Sequence, residues 1–329
     1  MDAQADSSRE ETIFIGISNA SGDVALCTIL LRALKMAHPH SVLTVASAKA
    51  NVVLLERCPW VDRIVPLDIS RQTMLTPDEF RAACPPAEYD HYLIPQIQQH
   101  GGPAMLLTHT LLGAQFALAG VPLATGPQPI QLAPTAADVA AAAPFLAQLG
   151  DISTAVLVNL RSYSIHSLHP RYEVLLCDGL VQLGLRPFVV AGPNEPAPPG
   201  VPTIFPPYGA WLHLITQVPA MVGIRNGLCD ISASLAQHLV VAYSDNPRDA
   251  VNSRAARLRT MGIAGEFVEL DRDHPVPILA ATAAIYRIDP VRTAAVLRAT
   301  ARAAWWLDRQ DTLHKGISRL KRRLKGKPV

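Results

Sequence analysis

Residues 221–243, MVGIRNGLCDISASLAQHLVVAY, predict a strand, a short polar loop, a helix and a second strand in close succession. The run from Met221 to Ile224 is apolar without polar alternation, as expected for a parallel strand covered on both faces. Apolar residues then recur every three to four positions and predict a helix with one apolar face. They are Leu228, Ile231, Leu235 and Leu239. This succession predicts a parallel sheet with a polar loop at the carboxyl end of its strand.

The polar loop consists of Arg225, Asn226 and Gly227. Asparagine is a good helix N-cap, and glycine lets the backbone approach a ligand closely. A helix N-terminus with unpaired N–H groups attracts phosphate, and an arginine fork would strengthen that attraction. Because ligands of open α/β sheets bind beyond the carboxyl ends of strands, we expect Arg225 to hold an anion. The alternative is a surface arginine that caps its own loop.

The composition indicates a globular protein that is large enough for two domains. Of its 329 residues, 49% are hydrophobic and 17% are charged. No apolar run approaches the roughly 18 residues of a membrane span. The polar, acidic start MDAQADSSREE resembles neither a signal peptide nor a basic transit sequence, so we expect a cytoplasmic location. The 5 cysteines are scattered and odd in number, which favours reduced thiols and predicts no structural metal.

The first half of the chain repeats the strand–loop–helix pattern. A buried strand at residues 13–17 precedes the small-residue loop 18–23 and a helix that extends to about Ala37. This loop lacks both the GxGxxG dinucleotide fingerprint and the GK[ST] ending of a Walker loop. Further strands are predicted at 42–46, 63–67 and 91–94, and helices at 51–57 and 106–119.

A second alternating series follows a connection rich in Pro, Gly and Gln at residues 122–134. Helices are predicted at 136–149, 171–183, 211–217, 253–261 and 276–288, and strands at 155–159, 187–191 and 267–270. A last long helix opens at Pro290. We therefore expect an α/β fold with two similar halves, residues 1–134 and 135–289, that face a central cleft, followed by residues 290–329.

A stretch near the start of the chain resembles a known family. Gly22 and Asp23, with Leu26 and Thr28, are followed by LRALKMAHPHSVLTVASAKANVVLLERCPWVDRIVPLD. This stretch resembles the opening of the lipopolysaccharide heptosyltransferases, in which a small loop ending in Gly-Asp leads into an LRALK-type helix and a P-x-VD-x-I-x-P-x-D run. The resemblance is good over residues 12–70 and weakens to a pattern in the second half.

The loop after the predicted strand Met221–Ile224 departs from that family. Its members usually carry Asp-Ser/Thr-Gly-Leu-x-His there, whereas this chain has RNGLCD, with Arg225 in place of the acid and Asp230 in place of the histidine. Arg225 looks like the diphosphate-binding arginine of fucosyltransferase-type enzymes. The resemblance implies a GT-B glycosyltransferase with two Rossmann-like domains, a sugar donor bound mainly by the second, no metal, and a final helix that packs back on the first domain.

Asp23 is the candidate general base that the resemblance implies. Inverting glycosyl transfer needs a carboxylate that accepts the proton of the acceptor hydroxyl. The alternative is an ordinary carboxylate in the first turn of a helix, which is worth about 0.3–1 kcal/mol there. The acceptor is expected near Ser18, Asn19, Ser21 and Gly22.

The donor residues are expected after the strands of the second half. Arg225 with the amides of Asn226 and Gly227, and Arg161 with Ser162, would meet the charge of a departing diphosphate. Asp230 either orients Arg225, accepts a sugar hydroxyl, or is simply a first-turn helix residue. Tyr208 either stacks on the nucleotide base or is a core or loop aromatic.

Other motifs are weaker. His166 and His169 have a spacing that a metal could use on a helix, but Pro170 disfavours helix there, so loop histidines are expected. Asp271 and Asp273 superficially resemble a DxD metal motif but lie at a predicted helix start.

The last helix carries aromatic and basic residues. We expect Trp305 and Trp306 to be buried between the domains, and the run from Lys321 to Lys327 to touch anionic lipid headgroups. Nucleic acid is not an expected partner, because the basic cluster lacks any reading motif.

These features favour a metal-independent, inverting glycosyltransferase that needs no cofactor. Its partners would be a nucleotide-diphosphate sugar and a lipid-linked or polysaccharide acceptor at the inner face of the membrane. Two alternatives stay open: an isomerase like the sugar-nucleotide 2-epimerases, and a non-catalytic binding scaffold on the same fold.

Overall fold

The computed structural model describes residues 10–18, 20–70, 73–97, 102–162, 167–192, 195–244 and 246–324. The first half contains β1 (Thr12–Gly16), α1 (Ser21–Ala37), β2 (Val42–Ala48), α2 (Val52–Leu55), β3 (Arg63–Leu67), α3 (Pro77–Ala83), β4 (His91–Leu93), α4 (Gly102–Met105) and α5 (Leu111–Ala119). Its strands form a parallel sheet of 4 strands in the order β3-β2-β1-β4. The predicted alternation of strand and helix is confirmed here.

The second half carries a larger parallel sheet. It contains α6 (Ala136–Leu149), β5 (Ala155–Asn159), α7 (Pro170–Gln182), β6 (Arg186–Val190), β7 (Thr203–Ile204), α8 (Tyr208–Gln217), β8 (Ala220–Ile224), α9 (Gly227–Ser232), β9 (Leu239–Ala242), α10 (Ala250–Ala255), β10 (Phe267–Leu270), α11 (Pro275–Ile285) and α12 (Pro290–Leu324). The sheet has 6 strands in the order β10-β9-β8-β5-β6-β7. Every residue of β8 is buried, as its apolar run predicts.

Some predicted boundaries are wrong. The helix after β8 ends at Ser232, and Leu239 instead begins β9, where it pairs with Met221. The helix predicted from residue 106 begins at Leu111, because the Thr110 side chain accepts a hydrogen bond from Gly113 N and caps it there. The helix predicted over 253–261 lies at Ala250–Ala255.

The two halves are joined by a shared apolar core and by the connection 122–134, which is hydrogen-bonded to both of them. Buried residues of α1, such as Leu30, and of α8, such as Trp211, belong to one continuous apolar cluster. Within the connection 122–134, Gln131 N donates to Thr28 Oγ1 in the first half at 3.0 Å. Ile130 N donates to Ser234 Oγ in the second half at 2.9 Å. These bonds fix the connection against both halves.

The last helix does not bury its tryptophans. The expectation for Trp305 and Trp306 is wrong, because they are 52% and 60% exposed. The helix α12 packs on α7 and α11 of the second half, and Arg292 Nε donates to Gln182 O there at 2.7 Å. The side chains of the run from Lys321 to Lys327 lie outside the described part of the chain. Among the described helices, none is both long and apolar enough to cross a bilayer.

An ion pair also crosses between the halves. Arg57, just after α2, donates from Nε to Asp138 Oδ2 at 2.9 Å and from NH2 to Asp138 Oδ1 at 2.7 Å. Asp138 lies in the first turn of α6 and is buried. The hydrogen bonds from Arg57 lower the pKa of the Asp138 carboxyl to about 2.

We expect Asp138→Asn to lower the free energy of unfolding by about 1–2 kcal/mol at pH 7. Because the folded-state pKa is depressed, this contribution is complete above the unfolded pKa near 4 and disappears as the pH falls through about 2. Urea unfolding of the wild-type chain and of Asp138→Asn, at pH 7 and at the lowest pH that preserves the fold, measures this contribution at both pH values. The control is Asp78→Asn, whose exposed pair with Arg81 should contribute little. If the loss of stability in Asp138→Asn were as large in acid as at pH 7, the role of the Arg57–Asp138 pair would be contradicted.

Candidate functional site

The polar loops leave the two sheets where the strand order changes direction. In the first sheet β1 lies between β2 and β4, and in the second β8 lies beside β5, with later strands added outward on both sides. Such switch points form crevices beyond the carboxyl ends of the strands. The loop after β1 and the loop after β8 are therefore the expected binding positions of the two halves.

These two positions meet directly at the start of α1 and the start of α9, which we call the helix junction. A Cβ atom placed on Gly22 would lie 2.5 Å from Gly227 Cα and 2.6 Å from Asp230 Oδ2. A Cβ placed on Gly227 would lie 2.9 Å from Gly22 N. Real Cβ atoms do not approach backbone this closely, so both positions require glycine.

The charged pair of the junction is buried. Arg225 NH2 donates to both carboxylate oxygens of Asp230 at 2.8 Å, and both residues are almost fully buried. Arg225 Nε has no hydrogen-bond partner among the described residues. Of the roles considered for Asp230, orienting Arg225 is the one that these contacts support. The guanidinium is not a surface group that caps its own loop.

Burial dominates the electrostatics of this pair. It raises the pKa of Asp230 to about 7, against the opposing effect of Arg225, and the charge of Asp23 adds to the rise. Burial would lower the pKa of Arg225, but the acidic groups around it, Asp230 and then Tyr243 and Asp23, raise it overall. Asp23 from the first half therefore acts electrostatically on the pair in the second half.

Asn226 organises the loop after β8. Its Oδ1 accepts from Leu228 N at 2.9 Å and from Cys229 N at 3.2 Å, which confirms the predicted N-cap. Its Nδ2 donates to Asn159 Oδ1 at 2.9 Å and to Arg161 O at 2.7 Å. The expectation of unpaired amides is wrong for Leu228 and Cys229, because the cap already satisfies them.

The other expected donor residues lie around this loop. The Arg161 guanidinium pairs with buried Glu173 and donates to Pro196 O at 3.1 Å. Ser162 N donates to Ser167 Oγ at 3.1 Å. Tyr208 is the first residue of α8 and is half-buried against the shared core. The structure thus joins Arg161 to the junction through its carbonyl, while its side chain is engaged elsewhere.

The expected acceptor residues are engaged in the fold. Buried Ser18 donates to Gln96 Oε1 at 2.8 Å, and its hydroxyl accepts from Leu75 N at 2.9 Å. Ser21 donates to Asn51 Oδ1 at 2.8 Å. Asn19 lies outside the described residues. These bonds fix the course of the loop, and a direct role in acceptor binding stays a prediction.

Comparison with known proteins identifies the architecture. No family model and no curated protein sequence matches this chain. A family 9 glycosyl transferase from Veillonella parvula is similar in structure over 88% of this chain and 97% of its own, with a TM-score of 0.58 and 14% identity. The chain has the GT-B fold. Both the predicted α/β class and the resemblance in fold to the heptosyltransferases are confirmed.

Two Escherichia coli structures support the same conclusion. ADP-heptose lipopolysaccharide heptosyltransferase II covers 88% of this chain and 98% of its own, with a TM-score of 0.55 and 15% identity. Heptosyltransferase WaaC with ADP covers 84% and 98%, with a TM-score of 0.51 and 13% identity. At these identities the likeness shows the GT-B fold and nothing further.

Sequence reasoning missed residues that support the site of this GT-B chain. Gln96 and Asn51 hold the loop after β1 through side-chain bonds, and no sequence motif marks them. Asn159 ends the apolar strand β5 and donates to Ile224 O at 2.8 Å, so it ties β5 to the junction loop. A polar residue closing an apolar strand was the available signal for Asn159.

We expect Gly22→Ala to force the helix junction apart and to lower the free energy of unfolding by about 1–3 kcal/mol, since the added methyl meets backbone. The control is Gly113→Ala in the first turn of α5, whose methyl would meet only the Thr110 hydroxyl at 3.1 Å. Both substitutions raise helix propensity by up to about 1 kcal/mol. The difference between their free energies of unfolding therefore reports the close contact at Gly22. Urea unfolding of both variants measures it, and equal stabilities would contradict the close approach.

Proposed function

We propose that this chain is a glycosyltransferase that moves a sugar from a nucleotide-diphosphate donor to a lipid-linked or polysaccharide acceptor in bacterial cell-surface glycan synthesis. The proposal rests on the helix junction, where an acidic residue of one switch point acts on a buried Arg–Asp pair of the other. The names of the structural neighbours, which include heptosyltransferases solved with ADP, support a nucleotide-sugar donor. No cofactor is part of the proposal.

Asp23 is proposed as the general base. It lies in the first turn of α1, directly after Gly22, and its charge acts on Arg225 and Asp230. In this role its carboxylate accepts the proton of the acceptor hydroxyl while that oxygen bonds to the anomeric carbon. The bond from that carbon to the donor diphosphate breaks on the opposite face, and the diphosphate leaves with the electron pair. Inversion of the sugar configuration follows from this geometry.

The departing diphosphate must meet positive charge without a metal ion. Arg225 supplies it in the proposal, exchanging Asp230 for phosphate oxygens as its partner. Such exchange requires the contact between Gly22 and Gly227 to open, which separates the two halves at their junction.

The start of α1 offers further donors. The residue before this helix is Ala20, whose side chain cannot accept from the first amides. An uncapped helix start favours an anion. The proposal therefore places part of the diphosphate at α1 rather than at the capped start of α9.

The last helix, α12, is proposed to face a membrane. Trp305 and Trp306 are exposed on α12, and the run from Lys321 to Lys327 follows them in the sequence. Exposed aromatics beside basic residues suit an anionic lipid interface. We place the protein in the cytoplasm, peripheral at the inner membrane.

Thermal-shift measurements with UDP, GDP, ADP and CMP test the donor class. A nucleotide at 100 times its dissociation constant adds about 2.7 kcal/mol of stability. Incubation with the matching nucleotide sugars then separates the candidates. Release of the nucleotide with transfer or hydrolysis supports the proposal, an epimerised sugar supports the isomerase, and binding without turnover supports the scaffold.

We expect Asp23→Asn to reduce sugar transfer by about 10²–10⁴-fold, because the acceptor hydroxyl loses its base. The nucleotide-induced thermal shift should remain, since the change leaves the Arg225 pair in place. The control is Asp178→Asn on the exposed face of α7. Transfer at the wild-type rate by Asp23→Asn would remove the base assignment.

The role of Arg225 is tested by a pair of variants. Arg225→Met alone leaves Asp230 buried without its partner and should cost about 3–5 kcal/mol of stability. The double variant Arg225→Met with Asp230→Leu should recover most of that loss. If Arg225 binds the diphosphate, the refolded double variant loses its nucleotide-induced thermal shift. A retained shift would show that the pair is only structural.

A further inference from the structure

A cluster of two histidines and one glutamate lies at the opposite edge of the first sheet from the helix junction. Glu11 directly precedes β1, and His38 follows α1 as its C-cap. His91 is the first residue of β4, the neighbour of β1. Three chain segments therefore meet where the parallel strands begin, away from their carboxyl ends.

The three side chains already converge on one point. His38 Nδ1 lies 2.8 Å from Glu11 Oε2, and His91 Nε2 lies 2.7 Å from Glu11 Oε1. The two imidazole rings have centroids 5.3 Å apart with 53° between their planes. One ligand atom from each residue can be chosen so that all three lie within 4.8 Å of one another.

The cluster is accessible from solvent. The side chains of Glu11, His38 and His91 are 38%, 34% and 46% exposed. An ion can therefore enter without opening the fold.

We propose that Glu11, His38 and His91 form a binding site for a divalent transition-metal ion of the zinc class. Two imidazole nitrogens and one carboxylate oxygen are ligands that zinc takes, with a fourth position left to water. Imidazole favours zinc, copper or nickel over magnesium and calcium. The proposal departs from the expectation of no structural metal, which considered only the cysteines.

The geometry needs only small side-chain movements. Zinc bonds of about 2.0–2.2 Å in a tetrahedron place ligand atoms roughly 3.4 Å apart. The present hydrogen bonds of 2.7 and 2.8 Å are shorter than this spacing, and the upper limit of 4.8 Å is longer. Each ring must present a lone pair where it now shares a proton with Glu11. That proton moves to the other ring nitrogen or is released when the ion binds.

The ion would act as a clip on the first domain. It would join the entry of β1, the end of α1 and edge strand β4, whose cluster residues are separated by 27 and 80 positions. Binding to the folded state alone stabilises it. This role is independent of the proposed sugar transfer.

Calorimetric titration of the tag-free full chain with zinc chloride tests the site. The wild-type chain should bind one ion with high affinity, and its melting temperature should rise with zinc. Glu11→Gln and His91→Ala should each weaken binding by at least about 100-fold, the upper end of what loss of an outer-shell partner costs. His40→Ala is the matched control, because His40 is an exposed neighbour outside the cluster. It should bind zinc like the wild-type chain.

Three outcomes would overturn the proposal. One is a wild-type chain that binds no zinc, in which case the cluster is a hydrogen-bonded clamp only. A second is undiminished binding by His91→Ala or Glu11→Gln, with circular dichroism confirming that the metal-free variants fold. The third comes from anomalous diffraction at the zinc edge, if zinc-soaked wild-type crystals place the ion away from Glu11. That measurement needs no variant, so it decides the question even if both variants fail to fold.

Discussion

The constraint on which the structure depends is the backbone contact between Gly22 and Gly227. Two helix starts meet there, and each carries partial positive charge on its amides. Asp23 and Asp230 occupy the first turns of these helices, so each positive end faces a carboxylate. The contact is thus sterically possible because of two glycines and electrostatically possible because of two acids.

The position of Arg225 follows from the same contact. With two acids at the junction, a buried cation offsets their repulsion, and its guanidinium binds the deeper of the two carboxylates. Replacing such a pair by apolar residues is often neutral or stabilising, so stability alone does not explain its presence. Under the proposed function its presence is explained by anion exchange, since one guanidinium would serve the internal carboxylate and the diphosphate in turn.

Local signals predicted the strands well. Strands 63–67 and 267–270 have the predicted bounds because apolar β-branched runs between turn residues are local features. Leu239 was placed in a helix because its spacing fits that period, yet sheet pairing with Met221 takes it into β9. The helix α3 was missed although Thr76 and Glu79 form a capping box. The exposure of Trp305 depends on which neighbours α12 contacts, which its own sequence does not specify.

The candidate site could be predicted only as separate loops. Asp23 is implied by the resemblance and Arg225 is predicted from its strand–loop–helix unit, but how closely the two approach depends on how the two halves pack. The bond from Ser18 to Gln96 spans 78 positions, and the bond from His91 to Glu11 spans 80. No periodic pattern reaches over such distances.

The Ser18–Gln96 and His91–Glu11 contacts lie at opposite edges of the parallel sheet. All carboxyl ends lie at one edge of the sheet and all amino ends at the other. Ser18 follows the end of β1, in the loop that leads to α1, whereas Glu11 precedes the start of β1. A metal ion bound at Glu11 would therefore join β1, β4 and α1 at the edge of the sheet away from the proposed donor site. Because α1 runs from the junction to its C-cap His38, one helix connects the two edges of the sheet.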